Sequence, residues 1–216
     1  ALSKVNFNSL NVTPSASKAI KFNSNNNGLE TGDLGGDMVL LSTQNACSSA
    51  NIDFTSSIDS TYKEYIFKYI NVHPATDNVQ FGFQVDTGTN TSYGQTVTST
   101  FFRAILSEAD DSPDLARVAS EDQQKGTASQ TLAYGIGNDN DQSASGFLHL
   151  FEPSSSTYYK HFIGTGESII ASNQAYNSFV GGMFYQTSAI TRVRFKMSSG
   201  NIDSGTIKMY GIKKWL

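Results

Sequence analysis

The chain has 216 residues, of which 16% are charged and 12% aromatic, with 18 Gly and only 4 Pro. This length suits one domain, and the mixture of aromatic residues with Gly is typical of half-buried strands joined by polar turns rather than of a helical bundle. The formal net charge of −4 argues against a sequence-independent nucleic-acid binder, since such binding requires Lys and Arg to neutralise phosphates.

Cysteine content and the first residues narrow the class of protein further. The single cysteine, Cys47, excludes an intramolecular disulfide and is predicted to be a small buried or half-buried side chain. The opening ALSKV lacks the basic and apolar segments of a secretory signal, and no run approaches the roughly 20 apolar residues of a membrane span. We therefore expect a protein that is made in the cytoplasm and is not inserted in a membrane.

The N-terminal residues 1–45 differ from the rest, because short apolar islands alternate there with Asn, Ser and Gly. The clusters at 23–28 and 31–36 are typical of turns, since Asn, Asp and Gly tolerate the positive φ that tight turns require. We predict an extended N-terminal arm over 1–45, used for attachment or oligomer contact, followed by a β-sandwich domain over 46–216.

The strongest strand candidate is TYKEYIFKYINVHP, at 61–74, which carries large side chains on both faces. One face holds Tyr65, Phe67 and Tyr69, and the other holds Tyr62, Ile66 and Ile70. Strands that are apolar on both sides lie in the centre of a sheet or are covered by a second surface, such as another subunit.

The next candidate, VQFGFQV at 79–85, alternates cleanly and places its four large apolar side chains on one face, which is the pattern of a half-buried strand. The run 96–106 continues the series. The charged segment 110–124 then interrupts it, and Pro113 after Ser112 predicts a short helix with Ser112 as its N-cap.

Further strand candidates follow at short spacings, and their short connections favour antiparallel pairing. They lie at 130–137, 145–153, 158–164, 179–187, 190–198 and 205–212. About nine strands in total predict an antiparallel β-sandwich. Arg192, Arg194 and Lys196 fall on one face of their strand, so these cations must be solvated or paired.

The three histidines lie in different segments. His73 precedes Pro74 and is predicted to be a turn residue at a strand end. His149 and His161 sit in neighbouring strand candidates and could form a cross-strand pair. Two histidines alone would leave a metal site incomplete, so no metal site is predicted there.

Two acidic segments contain candidate site residues. The run GIGNDNDQS offers oxygen ligands for calcium, but it lacks the Gly and Glu positions of an EF-hand loop, so a solvated turn is the simpler interpretation. Its candidate ligands are Asn138, Asp139, Asn140 and Asp141. The segment SEADDSPD could be read as glycosidase carboxylates, but such groups flank a bond about 5 to 10 Å apart and come from different strands, so an acidic solvated loop is favoured. Its carboxylates are Glu108, Asp110, Asp111 and Asp114.

Nucleophile, phosphate-loop and metalloprotease motifs are missing from the sequence, which lowers the expectation of an enzyme. Trp215, Tyr158 and Tyr159 could stack on sugar rings, although core or interface packing is the commoner use of such residues. The prediction is therefore a protein that is not an enzyme, with no catalytic, cofactor-binding or metal-binding residues and no cofactor.

The chain resembles a group of tail- or fibre-associated structural proteins of marine phages, notably cyanophages, in segments 52–77, 137–162 and 195–212. STYKEY, HPATD and SGNIDSGTIKMYG carry the resemblance, and the opening ALSKVNFNSLNV is similar to theirs after loss of the initiator Met. The resemblance runs over nearly the whole chain. It implies a virion protein with a jelly-roll-like β-sandwich, used in assembly or in contact with the host surface. It brings no catalytic residues, and the ending KKWL departs from the family pattern.

These observations predict a tail fibre, knob or capsid-associated appendage that contacts other virion proteins and copies of itself. A homotrimer is preferred, because phage fibres are usually threefold. One alternative is a glycan-binding module that recognises host-surface sugars through the loops 86–95, 107–129 and 138–145. A second is a polysaccharide-degrading, tailspike-like enzyme, which would require carboxylates from separate loops, such as Asp111 and Asp139, to face each other.

Overall fold

A computed structural model describes residues 12, 18–23, 25, 27–33, 37–88, 92–107 and 113–213. The regular elements among these residues are all β-strands. The chain divides into two compact units, Ala1–Asp37 and Met38–Leu216.

The first unit contains one antiparallel hairpin. Strand β1 (Lys18–Phe22) pairs with β2 (Leu29–Asp33), and Phe22 lies opposite Leu29. The backbone N–H of Asn23 donates to the carbonyl of Gly28 across the segment predicted as a turn, at 2.9 Å. Residues 34–36 of the second predicted turn lie outside the described residues.

The second unit contains a four-stranded and a nine-stranded sheet. The smaller sheet has the spatial order β10 (Gln130–Ile136), β6 (Val79–Asp86), β14 (Arg192–Met197) and β4 (Ile52–Phe54). The larger sheet has the order β3 (Met38–Ser49), β15 (Ile202–Ile212), β5 (Glu64–Pro74), β11 (Ala144–Phe151), β12 (Lys160–Ile169), β13 (Ala175–Phe184), β7 (Val97–Leu106) and β8 (Asp114–Arg117). Strand β9 (Gln124–Gly126) also pairs with β7.

Neighbouring strands in both sheets pair antiparallel, and the two sheets pack face to face, so the predicted all-β sandwich is confirmed. Strand β5 lies between β15 and β11, as its apolar faces predict for a central strand. Residues 38–45, placed in the arm by the sequence prediction, belong to β3 and pair with β15.

The core between the sheets is built from aromatic rings that contact each other across the layer. Phe195 of β14 lies 5.4 Å from Phe67 of β5, measured between ring centroids, and Phe83 of β6 lies 5.1 Å from Phe162 of β12. Phe195 also contacts Phe81 and Phe54 within its own sheet. The alternation predicted for 79–85 is confirmed, because its four large apolar side chains are all buried.

Two expectations were wrong. The segment 113–124 contains no helix. Asp114–Arg117 is an edge strand that pairs with β7, and Arg103 of β7 stabilises this pairing by donating to Asp114 at 2.7 and 3.0 Å. Cys47 is exposed rather than buried, because β3 is the other edge strand of the larger sheet.

Replacing Phe195 by Ala should lower the free energy of unfolding by about 3–5 kcal/mol, since a fully buried ring would leave a cavity between the sheets. Urea unfolding measures this change. Tyr158→Ala is the matched control, because Tyr158 is 67% exposed and should cost less than about 1 kcal/mol. Equal losses in the two variants would contradict the assignment of Phe195 to the core.

Tyr176 is a buried titratable side chain in the same layer. Its ring stacks on Tyr134 with 5.0 Å between centroids, and the guanidinium of Arg103 lies 5.7 Å from its ring centroid, although its hydroxyl makes no hydrogen bond in the described part of the chain. Burial raises the pKa of Tyr176 to about 12, because the phenolate would be desolvated.

The raised pKa of Tyr176 predicts how stability depends on pH. Above the ordinary tyrosine pKa of about 10 the unfolded state loses this proton and the native state keeps it, so unfolding becomes easier between pH 10 and 12. Tyr176→Phe should reduce that alkaline loss. At pH 7 it should leave the free energy of unfolding unchanged or raise it by up to about 1 kcal/mol, because an unpaired buried hydroxyl is removed. Identical pH profiles for the two proteins would refute the assignment.

Candidate functional site

The outer face of the four-stranded sheet is polar. It carries Gln80 and Gln84 from β6 and the three cations of β14, in register with one another. Arg194 donates to both carboxylate oxygens of Asp53 at 2.8 and 2.7 Å, and its guanidinium lies 4.0 Å from the ring centroid of Tyr93. This face can therefore be exposed to solvent, as the three cations on one side of β14 predicted.

The outer face of the nine-stranded sheet carries exposed apolar side chains beside polar ones such as Glu64, Lys68 and Glu167. Large side chains that alternate with the buried ones remain exposed on six of its strands. They are Leu40, Ile70, Phe102, Leu106, Leu115, Phe147 and Ile163. Ile163 is 56% exposed and Leu115 is 74% exposed, although both belong to regular strands. Apolar surface that extends across a sheet marks an interaction site more often than scattered single residues do.

Ring contacts hold the side chains of this face in place. The His149 ring packs at 5.1 Å from Phe147 and 6.1 Å from Phe151, and its Nδ1 contacts the carboxylate of Glu64 on the neighbouring strand β5. Phe102 stacks on Phe179 of β13 with 5.1 Å between centroids and 12° between planes. Apolar side chains fixed in this way lose little conformational entropy when a partner covers them.

A depression of about 420 Å³ lies on this face above β12, β13 and β7. Phe151, His161, Ile163 and Met183 contribute side chains to its lining, and Gly181 and Gly182 are also part of it. Gly182 is required by packing, since a Cβ there would lie 2.5 Å from the carbonyl oxygen of Thr98. Gly181 is not, because the nearest atom to its Cβ would be the carbonyl oxygen of Phe162 at 3.9 Å.

Gly181 is therefore a glycine that neither sterics nor backbone conformation explains. Among the described glycines a positive φ occurs at Gly135, Gly200 and Gly205, and Gly181 lies within the regular pairing of β13. Glycine inside a strand weakens it and often marks a place where another molecule approaches closely. The depression at Gly181 is the best candidate site on this chain.

The histidines do not form the pair considered from sequence. His149 lies opposite Ile163 in the β11–β12 register and contacts Glu64. His73 lies at the end of β5, where its Nδ1 is 2.7 Å from the carbonyl oxygen of Gln142. Among the described residues, no group of three or more His, Cys, Asp or Glu side chains is placed to hold a metal ion.

The NDND segment is a turn organised by a buried glutamine. The side chain of Gln142 accepts from the backbone N–H of Asp139 at 3.1 Å and donates to the side chain of Asn173 at 2.6 Å. The backbone N–H of Asn138 donates to Asp77 at 3.2 Å. These contacts hold the turn, and its interpretation as a solvated turn stays a prediction.

The other acidic candidates are only partly described. Asp114 is paired with Arg103, whereas Glu108, Asp110 and Asp111 lie outside the described residues, so an opposed pair of Asp111 and Asp139 stays a hypothesis. Trp215 also lies outside them. Tyr158 and Tyr159 are exposed, at 67% and 45%, beside the start of β12.

Comparison of the chain with known protein families, with curated proteins and with solved structures gave no match. The described residues include no helix that is long and apolar enough to cross a membrane. The surface described above therefore carries the functional argument by its own chemistry.

The sequence interpretation did not single out Phe147, Ile163 or Gly181. A signal for the first two was present, because FLHLF and KHFIG place large apolar side chains at both phases of a strand, as 61–74 does. The space above Gly181 had no such signal, since it depends on which side chains β12 and β7 place beside it.

Filling the space above Gly181 should not harm the isolated fold. Gly181→Val should leave the free energy of unfolding unchanged or raise it by about 0.5–1 kcal/mol, because Gly is a poor strand residue and the new side chain meets open space. Gly182→Val is the matched control and should lose about 1–3 kcal/mol through its clash with β7. Thermal and urea unfolding of both variants measure the contrast, and a similar loss in both would show that Gly181 is a packing glycine.

Proposed function

We propose that this chain is an assembly protein whose outer nine-stranded face packs against copies of itself, and that it is a structural component of a phage virion. The observation that carries the first part is the exposed apolar face with an unfilled depression at Gly181. The resemblance to tail- or fibre-associated proteins of marine phages supports the second part. In this proposal the chain forms a tail fibre, a knob or a capsid-associated appendage with a jelly-roll-like sandwich, and it resides in the virion.

The contrast between the two outer faces favours a covered surface. Both faces belong to antiparallel sheets of one sandwich and both carry paired charges, but the exposed Phe147, Ile163 and Phe102 lie on the larger one. Aromatic residues are enriched in the centres of protein interfaces, where they supply most of the binding energy. Left in water, a face of this kind would be an aggregation hazard.

The unfilled space above Gly181 favours a protein partner for that face. A depression of about 420 Å³ bordered by Ile163 and Met183 can receive one large apolar side chain from a neighbouring subunit. In a closed ring of three copies, a side chain of each copy would enter the depression of the next, which buries both. A homotrimer remains the preferred assembly, as for phage fibres in general.

The oligomeric state of the recombinant chain tests the interface. Light scattering coupled to size exclusion should give about three times the chain mass of 23.4 kDa. Ile163→Asp and Phe147→Asp should each give a monomer with an unchanged far-ultraviolet circular dichroism spectrum, because a buried unpaired charge is costly. Gly181→Val should weaken the trimer while keeping the fold.

Gln84→Asp, on the outer face of the four-stranded sheet, is the matched control and should remain trimeric. A wild-type chain that is monomeric at tens of micromolar, or Asp variants that remain trimeric, would reject the proposed interface. The virion assignment is tested separately, by peptide mass spectrometry of purified particles of the phage that encodes the chain. Its absence from those particles would reject that assignment and leave the interface unaffected.

A further inference from the structure

Lys160 is a fully buried cation whose contacts are neutral. Its side chain is 0% exposed at the start of β12, and Nζ donates to the carbonyl oxygens of Tyr158 at 2.7 Å and of Gln186 at 3.0 Å. It forms no ion pair among the described residues. Burial lowers the pKa of Lys160, because the ammonium is desolvated. Burying a charge without a counter-charge costs free energy, so we ask which segments Lys160 holds together in return for that cost.

The two carbonyls belong to the segments that flank β12 and β13. Lys160 joins the segment before β12, which carries Tyr158 and Tyr159, to the segment after β13, which carries Tyr185 and Gln186. The rings of Tyr159 and Tyr185 are 5.4 Å apart at 57°. The buried ammonium therefore holds the segment with the exposed Tyr158 and Tyr159 next to the segment with Tyr185, and the rings of Tyr159 and Tyr185 are in contact.

Further hydrogen bonds hold both segments. The backbone N–H of Tyr158 donates to Oγ of Ser155 at 3.1 Å. The side chain of Gln186 donates to that of Gln95 at 3.1 Å, and the backbone N–H of Tyr185 donates to the carbonyl of Thr96 at 2.9 Å. Because these hydrogen bonds hold the two segments in place, the exposed aromatic rings on them are preorganised for contact with a ligand.

A cation lies at the end of this row of rings. Nζ of Lys125 is 5.4 Å from the centroid of Tyr185, and it has no acidic partner among the described residues. Lys125 adopts a φ of 56°, which is unusual for a residue with a Cβ, and its backbone N–H donates to Oγ1 of Thr98 at 3.1 Å. The same Thr98 hydroxyl lies 3.4 Å from the hydroxyl of Tyr185, so cation and ring are placed together.

We propose that Tyr158, Tyr159, Tyr185 and Lys125 form a binding site for an acidic saccharide. The C–H face of a pyranose ring stacks on the electron-rich face of a tyrosine, and a carboxylate on the sugar would meet the unpaired ammonium of Lys125. Gln186 follows Tyr185 directly, and its side chain donates to that of Gln95, which holds the segment of Tyr185 in place. The site lies past the ends of β12 and β13, next to the depression, whose lining includes Thr98, and it does not rest on the virion assignment.

The test uses the full chain on an array of neutral oligosaccharides (glucose, mannose and galactose oligomers) and uronic-acid oligosaccharides (galacturonate, glucuronate and guluronate oligomers). Binding constants follow from saturation-transfer NMR titrations. Uronic-acid oligomers should bind more tightly than neutral ones. Tyr159→Ala should weaken binding about tenfold through loss of a stacking ring, whereas Tyr159→Phe should retain it. Lys125→Ala should remove the preference for acidic sugars.

Lys196→Ala, on the outer face of the four-stranded sheet, is the matched control and should bind as the wild type does. Circular dichroism and size exclusion of each variant separate a lost site from a lost fold or assembly. The proposal is overturned if no sugar on the array binds at millimolar concentration, or if binding survives Tyr159→Ala. It is also overturned if the tyrosines bind a proline-rich peptide in place of the sugars.

Discussion

The packing of Phe195 against the rings of both sheets is the contact on which the rest of the structure depends. Phe195 belongs to the four-stranded sheet and meets Phe67 of the nine-stranded sheet, and Phe83 repeats the contact with Phe162. Because these rings occupy one phase of their strands, the alternate residues must point outward. The aromatic layer therefore decides at once what the core contains and what each sheet presents to its surroundings.

The two outer faces differ in the side chains that they expose. The small sheet places Arg194 over Tyr93 and against Asp53, so its charges are paired at the surface. The large sheet keeps Phe147 and Ile163 exposed and leaves the space above Gly181 open. A face that holds exposed aromatic side chains in place and has open space above one glycine has the properties of half an interface, and this difference underlies the proposed assembly function.

At the ends and edges of the sheets, polar side chains hold the connecting segments in place. Gln142 holds the turn at 138–142, and Arg103 draws the acidic segment onto the edge of β7. Lys160 does the same with a buried ammonium and two carbonyls, at a higher cost in desolvation, and it places Tyr158 and Tyr159 in the solvent. Exposed tyrosines on a segment fixed at that cost are the basis of the proposed saccharide site.

The sequence by itself determined the class of fold and the core phase of its clearest strands. Alternation in 79–85 and large side chains on both faces of 61–74 predicted a half-buried and a central strand, because a strand's period of two residues shows in any single segment. It did not determine that Asp114–Arg117 would be an edge strand, or that Gly181 would lie under open space. The first outcome depends on the pairing of Asp114 with Arg103 across the residues between them. The second depends on β7 and β13, which are far apart in the chain and which only the tertiary structure brings together.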